Sequence, residues 1–404
     1  MIYWLPMGPP GQRRGKACLK QRLRQFGASL VICVIFPGGV PLLLYVFIAV
    51  LMFGILIALH EFGHFVAAKA CGVKVNEFAI GMGPLLVHKK GKETDYSLRW
   101  LPIGGFCAME GEGEGESGDP RAFPNRPWWQ RVIILLAGVF MNFLTGFLII
   151  LGLFSLNDHC ALPVVGGFSD YGTAQEQGLE VGDRIVAVDG HRVYLINDIP
   201  MFLSRSVDAG VDLTVEREGE RVELTDFRFA CMVDAEGNIQ DYMLGILTTT
   251  VPQTVPRLLQ QSWYQAIDYV RMVWMGLGDL IGGRVGLRDL SGVVEITAMM
   301  AEMGQEGAQA AQAVGIPALL GAMVNILNFV AFISINLSVM NLLPIPALDG
   351  GQIFFMGVDG AYTAVTKKKL DPKYMNWVST VGFALLMLLM LVVMASDILK
   401  RLGL

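Results

Sequence analysis

Four long apolar runs, at 42–59, 132–154, 322–343 and 378–395, constrain this 404-residue chain more than any other feature. A helix needs about 20 apolar residues to cross the hydrocarbon core of a bilayer. Inside that core each backbone N–H and C=O must be bonded within the segment, so runs of this kind are helices. The third run carries Asn325, Asn328, Asn336 and Asn341 yet remains long enough. A single run could be a buried helix of a large soluble protein, but four together argue against that. Composition agrees: 53% of residues are hydrophobic and 17% are charged, against about 25% charged in soluble domains. The expected class is a polytopic α-helical membrane protein of about four transmembrane helices, with the lipid bilayer as its main partner.

The segments between the runs read differently. In the loop after the first run, 73–80 is an extended stretch, and 85–88 and 96–101 flank the turn Lys89-Lys90-Gly91-Lys92, which predicts a membrane-associated β-hairpin. The acidic, glycine-rich stretch 110–118 reads as a solvated linker. A calcium loop is the alternative there, but its Gly-Glu alternation lacks a recognised ligand pattern. Residues 160–250 contain short alternating strands with turn punctuation and form an inserted β-rich domain. Residues 256–320 read as a helical connector whose first part, with Leu258, Leu259, Trp263, Ile267 and Val270, has amphipathic spacing. The expected organisation is therefore a basic extension over 1–40, two spans with the hairpin over 41–155, the insert over 160–250, the connector over 256–320, and two further spans over 321–404.

The distribution of lysine and arginine sets the orientation. Lys367, Lys368, Lys369 and Lys373 place the loop after the third run in the cytoplasm, and Lys74, Lys89, Lys90, Lys92 and Arg99 do the same for the hairpin loop. The insert has no lysine and is expected outside. Residues 13–24 disagree, because their six basic residues would lie outside in a four-span topology. The apolar stretch 28–36 after them is short for a span; a signal-like segment, a re-entrant piece and an upstream extension all remain open. The net charge of −5, with no basic stripe, gives no reason to expect nucleic acid. None of the six cysteines is spaced as C-x-x-C, and Cys160 and Cys231, which flank the insert, could pair if it is extracytoplasmic.

The chemistry sits in His60-Glu61-Phe62-Gly63-His64, at the cytoplasmic end of the first run. Histidines four apart share one face of a helix and can both present an imidazole to one metal. Glu61, beside them, can take a proton from water without filling a coordination position. The bland alternative is a polar trio at a helix interface, but ionisable groups inside a membrane are costly unless paired or ligating. The other histidines, His88, His159 and His191, lie in no matching span, so a third ligand is expected to be a carboxylate. Asp349 is the candidate, since it follows the third run at the same membrane face; a helix-terminating turn at Asp349-Gly350-Gly351 is the bland reading. Two histidines, one carboxylate and an open fourth position make a catalytic rather than a structural zinc site. A substrate helix has its carbonyls bonded internally, so it must be held extended to be cut, and the hairpin could do this by pairing as a sheet edge.

With these motifs in order, the chain resembles the site-2 protease family of intramembrane zinc metalloproteases, in particular the bacterial regulator-of-sigma-E protease group. The resemblance runs from about residue 42 onward. It rests on His60 to His64, Gly81-Met82-Gly83-Pro84, Leu101-Pro102-Ile103-Gly104-Gly105, Asn341 through Gly351, and a GxxxN feature at Gly138-Val139-Phe140-Met141-Asn142. It implies that His60, His64 and Asp349 hold Zn2+, that Glu61 is the catalytic glutamate, and that Asn142 and Asn336 or Asn341 support the site or contact substrate. Interhelical hydrogen bonding, worth about 0.6 kcal/mol on average, is the alternative for these asparagines. Gly178-Leu179, Gly182-Asp183-Arg184-Ile185 and Val188-Asp189-Gly190 resemble a PDZ domain, whose groove can take a peptide end. The resemblance further implies a bacterial inner-membrane enzyme that cuts the transmembrane segment of a single-pass protein, such as an anti-sigma factor or a remnant signal peptide. Gln352 departs from the family pattern, where a histidine is frequent at that point. A peptide-binding scaffold without catalysis and a metal-site transporter are the competing classes. The intact ligand set argues against the first, and the absence of repeated spans against the second.

Overall fold

A computed structural model describes residues 42–402 apart from 113–117, 170–173, 204, 206–209, 229, 234–238, 244, 287–289, 291 and 368–371. The basic segment 1–40 therefore lies outside the described residues. The chain divides into two compact units, one built from 154–265 and the other from the flanking sequence on both sides.

In the flanking unit, helix α1 (Leu42–Ala70) continues eleven residues past the apolar run that predicts it, so the His-Glu-x-x-His motif sits inside it. Strands β1 (Val75–Lys90) and β2 (Asp95–Met109) follow, then α2 (Trp128–Phe154). The predicted hairpin is present but folds back on itself. Residues 82–90 of β1 pair with 95–101, whereas 77–80 pair with 95–98 on one side and 75–80 with 105–109 on the other. Gly81, Gly83 and Gly104 have positive φ at the reversals, a conformation open to glycine at little steric cost. Leu85, Leu86, Val87 and Trp100 are all more than half exposed, which suits a hairpin that meets lipid.

The other unit holds β3 (His159–Phe168), β4 (Arg184–Val188), β5 (His191–Arg192), the short α3 (Asp198–Leu203), β6 (Val211–Arg217), β7 (Glu220–Phe227), β8 (Ala230–Val233), β9 (Ile239–Met243) and β10 (Ile246–Pro252). Its main sheet runs β10-β3-β4-β6-β7, with β5 beside β4, and this is the PDZ-like β-rich domain. Leu179, Ile185, Val188, Ile199, Leu213, Val215 and Phe227 are its buried centre. Arg217 grips Asp183 with two hydrogen bonds of 2.7 Å and also reaches Glu180 and the Gly178 carbonyl, so one guanidinium fastens the whole 178–183 turn. Cys160 is buried on β3 opposite Val251 as a free cysteine, and the side chain of Cys231, the suggested partner, lies outside the described residues.

After α4 (Val255–Ile281) come α5 (Val293–Ala313), α6 (Ala318–Asn341), α7 (Asp349–Thr366) and α8 (Pro372–Leu402). Among the described residues four helical segments, Phe47–Ala70, Trp128–Phe154, Ala318–Asn341 and Trp377–Lys400, are long and apolar enough to cross a membrane. They make the protein a multi-pass membrane protein. The packing of α5 against α6 is close because Gly307 and Gly321 face each other, and a Cβ on either would run into the backbone of the other. In the same unit the buried hydroxyl of Tyr269 donates to Asn328 Oδ1 at 2.8 Å, which accounts for one of the polar residues in the third run.

Candidate metal centre

His60 and His64 stand on one face of α1 and are 8% and 6% exposed, so neither imidazole is solvated enough to be an incidental surface group. His64 Nδ1 lies 2.8 Å from the Ile134 carbonyl oxygen of α2. A carbonyl can only accept, so Nδ1 carries a proton, and in the neutral ring that leaves Nε2 its lone pair. Asp349 reaches the same point from a different part of the chain. Its turn is shaped by Ala347 at φ +80°, in the left-handed region that non-glycine residues seldom enter. Asp349 is also the first residue of α7, so the Asp-Gly-Gly sequence starts a helix instead of ending one. The reason lies in the two glycines: a Cβ at Gly350 would strike the Leu342 and Leu343 carbonyls, and one at Gly351 would strike Ile345. A carboxylate at a helix N-terminus is also favoured by the helix dipole.

The three candidate ligand atoms form a small triangle. Asp349 Oδ2 is 3.1 Å from His60 Nε2 and 3.4 Å from His64 Nε2, and the two nitrogens are 3.1 Å apart. Tetrahedral zinc with bonds of about 2.0–2.1 Å separates its ligand atoms by about 3.3 Å. Asp349 Oδ2 is buried without a properly directed hydrogen bond, an expensive arrangement for a carboxylate unless a cation joins it. Gly138 of α2 completes the cradle: a Cβ there would lie 2.5 Å from His64 Cε1 and 2.9 Å from His60 Cε1. The residues present fit a metal ion.

Glu61, half-buried on the same helix, lines a cavity of about 190 Å³ with the triangle, Cys107, Glu112 and Asn341. That volume holds several waters at about 30 Å³ each, or part of an extended peptide. The Cys107 backbone N–H donates to Glu61 Oε2 at 3.0 Å. Burial pushes the Cys107 thiol up to about 12, and the neighbouring Glu61 adds to this.

The predicted asparagines separate in space. Asn142 is 1% exposed, and its side-chain nitrogen is 3.4 Å from His60 Nδ1, while its Oδ1 is buried without a partner. A half-turn of that amide would bring Oδ1 to the Nδ1–H that a His60 bound through Nε2 must carry, satisfying both. Ser334 of α6 holds the Asn142 carbonyl at 2.7 Å. Asn341 lines the cavity, whereas Asn336 is half-buried on α6 and is not among the lining residues. Sequence reasoning passed over Gly138 as a space-maker and Cys107 as a donor. The signal for the first was a glycine within an otherwise bulky helical run; a backbone donor leaves none.

The model of peptidase family M50 matches residues 48–389. A Clostridium acetobutylicum protein named "Putative zinc metalloprotease" is 36% identical over 354 residues, covering 87% of this chain and 96% of its own. The regulator of sigma-W protease of Bacillus subtilis is 27% identical, covering 86% of this chain and 97% of its own. A zinc metalloprotease of Geobacillus kaustophilus is likewise 27% identical over 87% and 97% of the two chains.

Proposed function

Because this chain belongs to peptidase family M50, we propose that it hydrolyses peptide bonds within the transmembrane segment of single-pass membrane proteins, as in regulated intramembrane proteolysis. Anti-sigma factors and remnant signal peptides are the substrate types in view. The observation that carries the proposal is the convergence of His60, His64 and Asp349 beside Glu61, in a cavity at the end of a helix long enough to span a membrane. His60, His64 and Asp349 would hold Zn2+, which when bound supplies a Lewis acid that polarises the scissile carbonyl. Glu61 takes the proton from the attacking water at its free carboxylate oxygen and passes it to the departing amine nitrogen. Asn142 orients His60, and Asn341 lines the space a substrate strand would occupy. Asn336, on α6 and outside the cavity lining, would act as support for the site.

The cavity is read as lying near the cytoplasmic face of a bacterial inner membrane, where water is available, and the PDZ-like domain as lying outside. The lysine-bearing hairpin loop and the lysine-free insert support this orientation. The open edges of the hairpin suit an unwound substrate segment that adds as a strand, and the PDZ-like sheet suits a peptide end. The test is Glu61→Gln in the reconstituted full-length chain with a single-span substrate. Cleavage should disappear while zinc content stays at the wild-type level, whereas His60→Ala and Asp349→Ala should lose zinc. A Glu61→Gln protein that cuts at the wild-type rate would refute the mechanism.

A further inference from the structure

Glu61 follows His60 by one residue and precedes His64 by three. At 3.6 residues per turn its side chain leaves α1 roughly 60–100° from the face of the two imidazoles. A glutamate has three rotatable bonds, so nothing in the helix itself turns this carboxylate toward the cavity. Strand β2 does. On its inner side Cys107 pairs with Phe78, and the Cys107 N–H, directed away from that pairing, meets Glu61 Oε2. An edge strand ordinarily leaves such a group open to any incoming strand. Here it is taken by a carboxylate, in a charge-assisted hydrogen bond of the stronger kind. Gly105 lies against the same side chain, since a Cβ there would stand 3.6 Å from Glu61 Cγ and 2.8 Å from the Ala79 carbonyl oxygen. One carboxylate oxygen is thereby anchored and the other is free to face the cavity.

We infer that the backbone N–H of Cys107 is the positioning group for Glu61, so that the folded-back hairpin is part of the machinery that aims the general base. The inference rests on Glu61 being that base. It also means that a substrate strand pairing along 105–109 finds the Cys107 N–H already engaged and must bond to other groups of the edge. Loss of this one donor should lower kcat and leave KM and zinc content where they were, because it holds neither the substrate nor a ligand.

The experiment deletes the N–H without deleting the residue. In the full-length chain, residue 107 is replaced by lactic acid through nonsense suppression, which exchanges the amide N–H for an ester oxygen. Cys107→Ala is the reference, since it has the same side chain and keeps the N–H. Cys107→Pro is a second variant that removes the donor, tolerated where a strand N–H faces away from its partner. A catalytic group misplaced by about 1 Å can cost about 100-fold, so kcat for the ester chain should fall by about that factor relative to Cys107→Ala, with equal KM and zinc content. An ester chain within about twofold of Cys107→Ala overturns the inference. So does a loss confined to KM or accompanied by loss of zinc. If Cys107→Pro fails to fold, the ester chain decides alone. The protease reading fails on a separate observation, a wild-type chain that holds zinc and cuts no single-span substrate.

Discussion

Replacing Gly138 with alanine adds one methyl group at the point where two imidazoles already meet. The new Cβ would stand 2.5 Å from His64 Cε1 and 2.9 Å from His60 Cε1, whereas carbon atoms rest at about 3.5–4.0 Å. One partner must therefore withdraw by about 1 Å. Helix α2 has little room to give, because Gly63 of α1 already backs onto it, with space for a Cβ denied by Met141 Cγ at 2.7 Å. The His64 ring is further tied to Ile134 at 2.8 Å. Zinc sites keep their ligand distances within about 0.2 Å, so a displacement of about 1 Å removes a ligand from the set. Changes to groups that merely orient a ligand typically cost 10–100-fold in metal affinity, and Gly138→Ala should exceed about 100-fold. Overpacking should also cost about 1–3 kcal/mol of stability. The assay is a zinc titration of the solubilised protein in metal-buffered solution, with thermal unfolding followed in parallel. Gly152→Ala on the same helix is the control, since a Cβ there meets nothing within 4 Å; it should keep zinc. A Gly138→Ala protein that binds zinc with wild-type affinity would show that the cradle argument is wrong.

Asn142→Ala should reduce zinc affinity by about 10–100-fold, since it strips the partner from His60 Nδ1 while leaving all three ligand residues in place; the same titration reads it. Gly382→Val should do the same from farther away. A Cβ at Gly382 would lie 2.8 Å from Pro346 Cγ, so a bulkier residue on α8 pushes on the turn that carries Asp349, and Pro346→Ala in the same chain should partly restore binding. In the PDZ-like domain, Arg217→Met should free the 178–183 turn. It leaves the solvent-shielded Asp183 carboxylate without its fork, so the turn loses the group that ties it down. Amide hydrogen exchange across 178–183 would report it, and unchanged protection would refute it. Burial alone would raise the Asp183 carboxyl, but the Arg217 fork outweighs it and holds the group below its ordinary value. Its stabilising contribution is therefore present above the ordinary carboxylate range and lost as pH falls through the lowered folded value.

The apolar runs and the local spacing of His60 and His64 were legible because both depend on near neighbours. A span is a property of some twenty consecutive residues, and two imidazoles on one helical face follow from a separation of four. The extent of α1 was not legible, since the apolar run at 42–59 stops where the helix goes on to Ala70. The polar residues beyond it are helical because the hairpin, α2 and Asp349 surround them. Asp349 shows the same divide. Its chemistry and its membrane face could be argued from charge topology, but its place at the start of α7 depends on carbonyls of 342–345 that only a glycine can approach. Asn142 and Asn336 looked alike as polar residues in apolar runs. Only one of them ended beside His60, because helix rotation is set by packing partners and not by the residue.

What the sequence determined by itself was therefore the class of molecule and the local pattern of candidate metal ligands with Glu61 beside them. Tertiary structure decided where those groups point. Atoms separated by nearly three hundred residues come within 3.4 Å, a distance set by the close contact of α1, α2 and the 342–349 turn. The direction of Glu61 depends on a backbone N–H of β2, a group that every residue except proline possesses and that no pattern of side chains can announce.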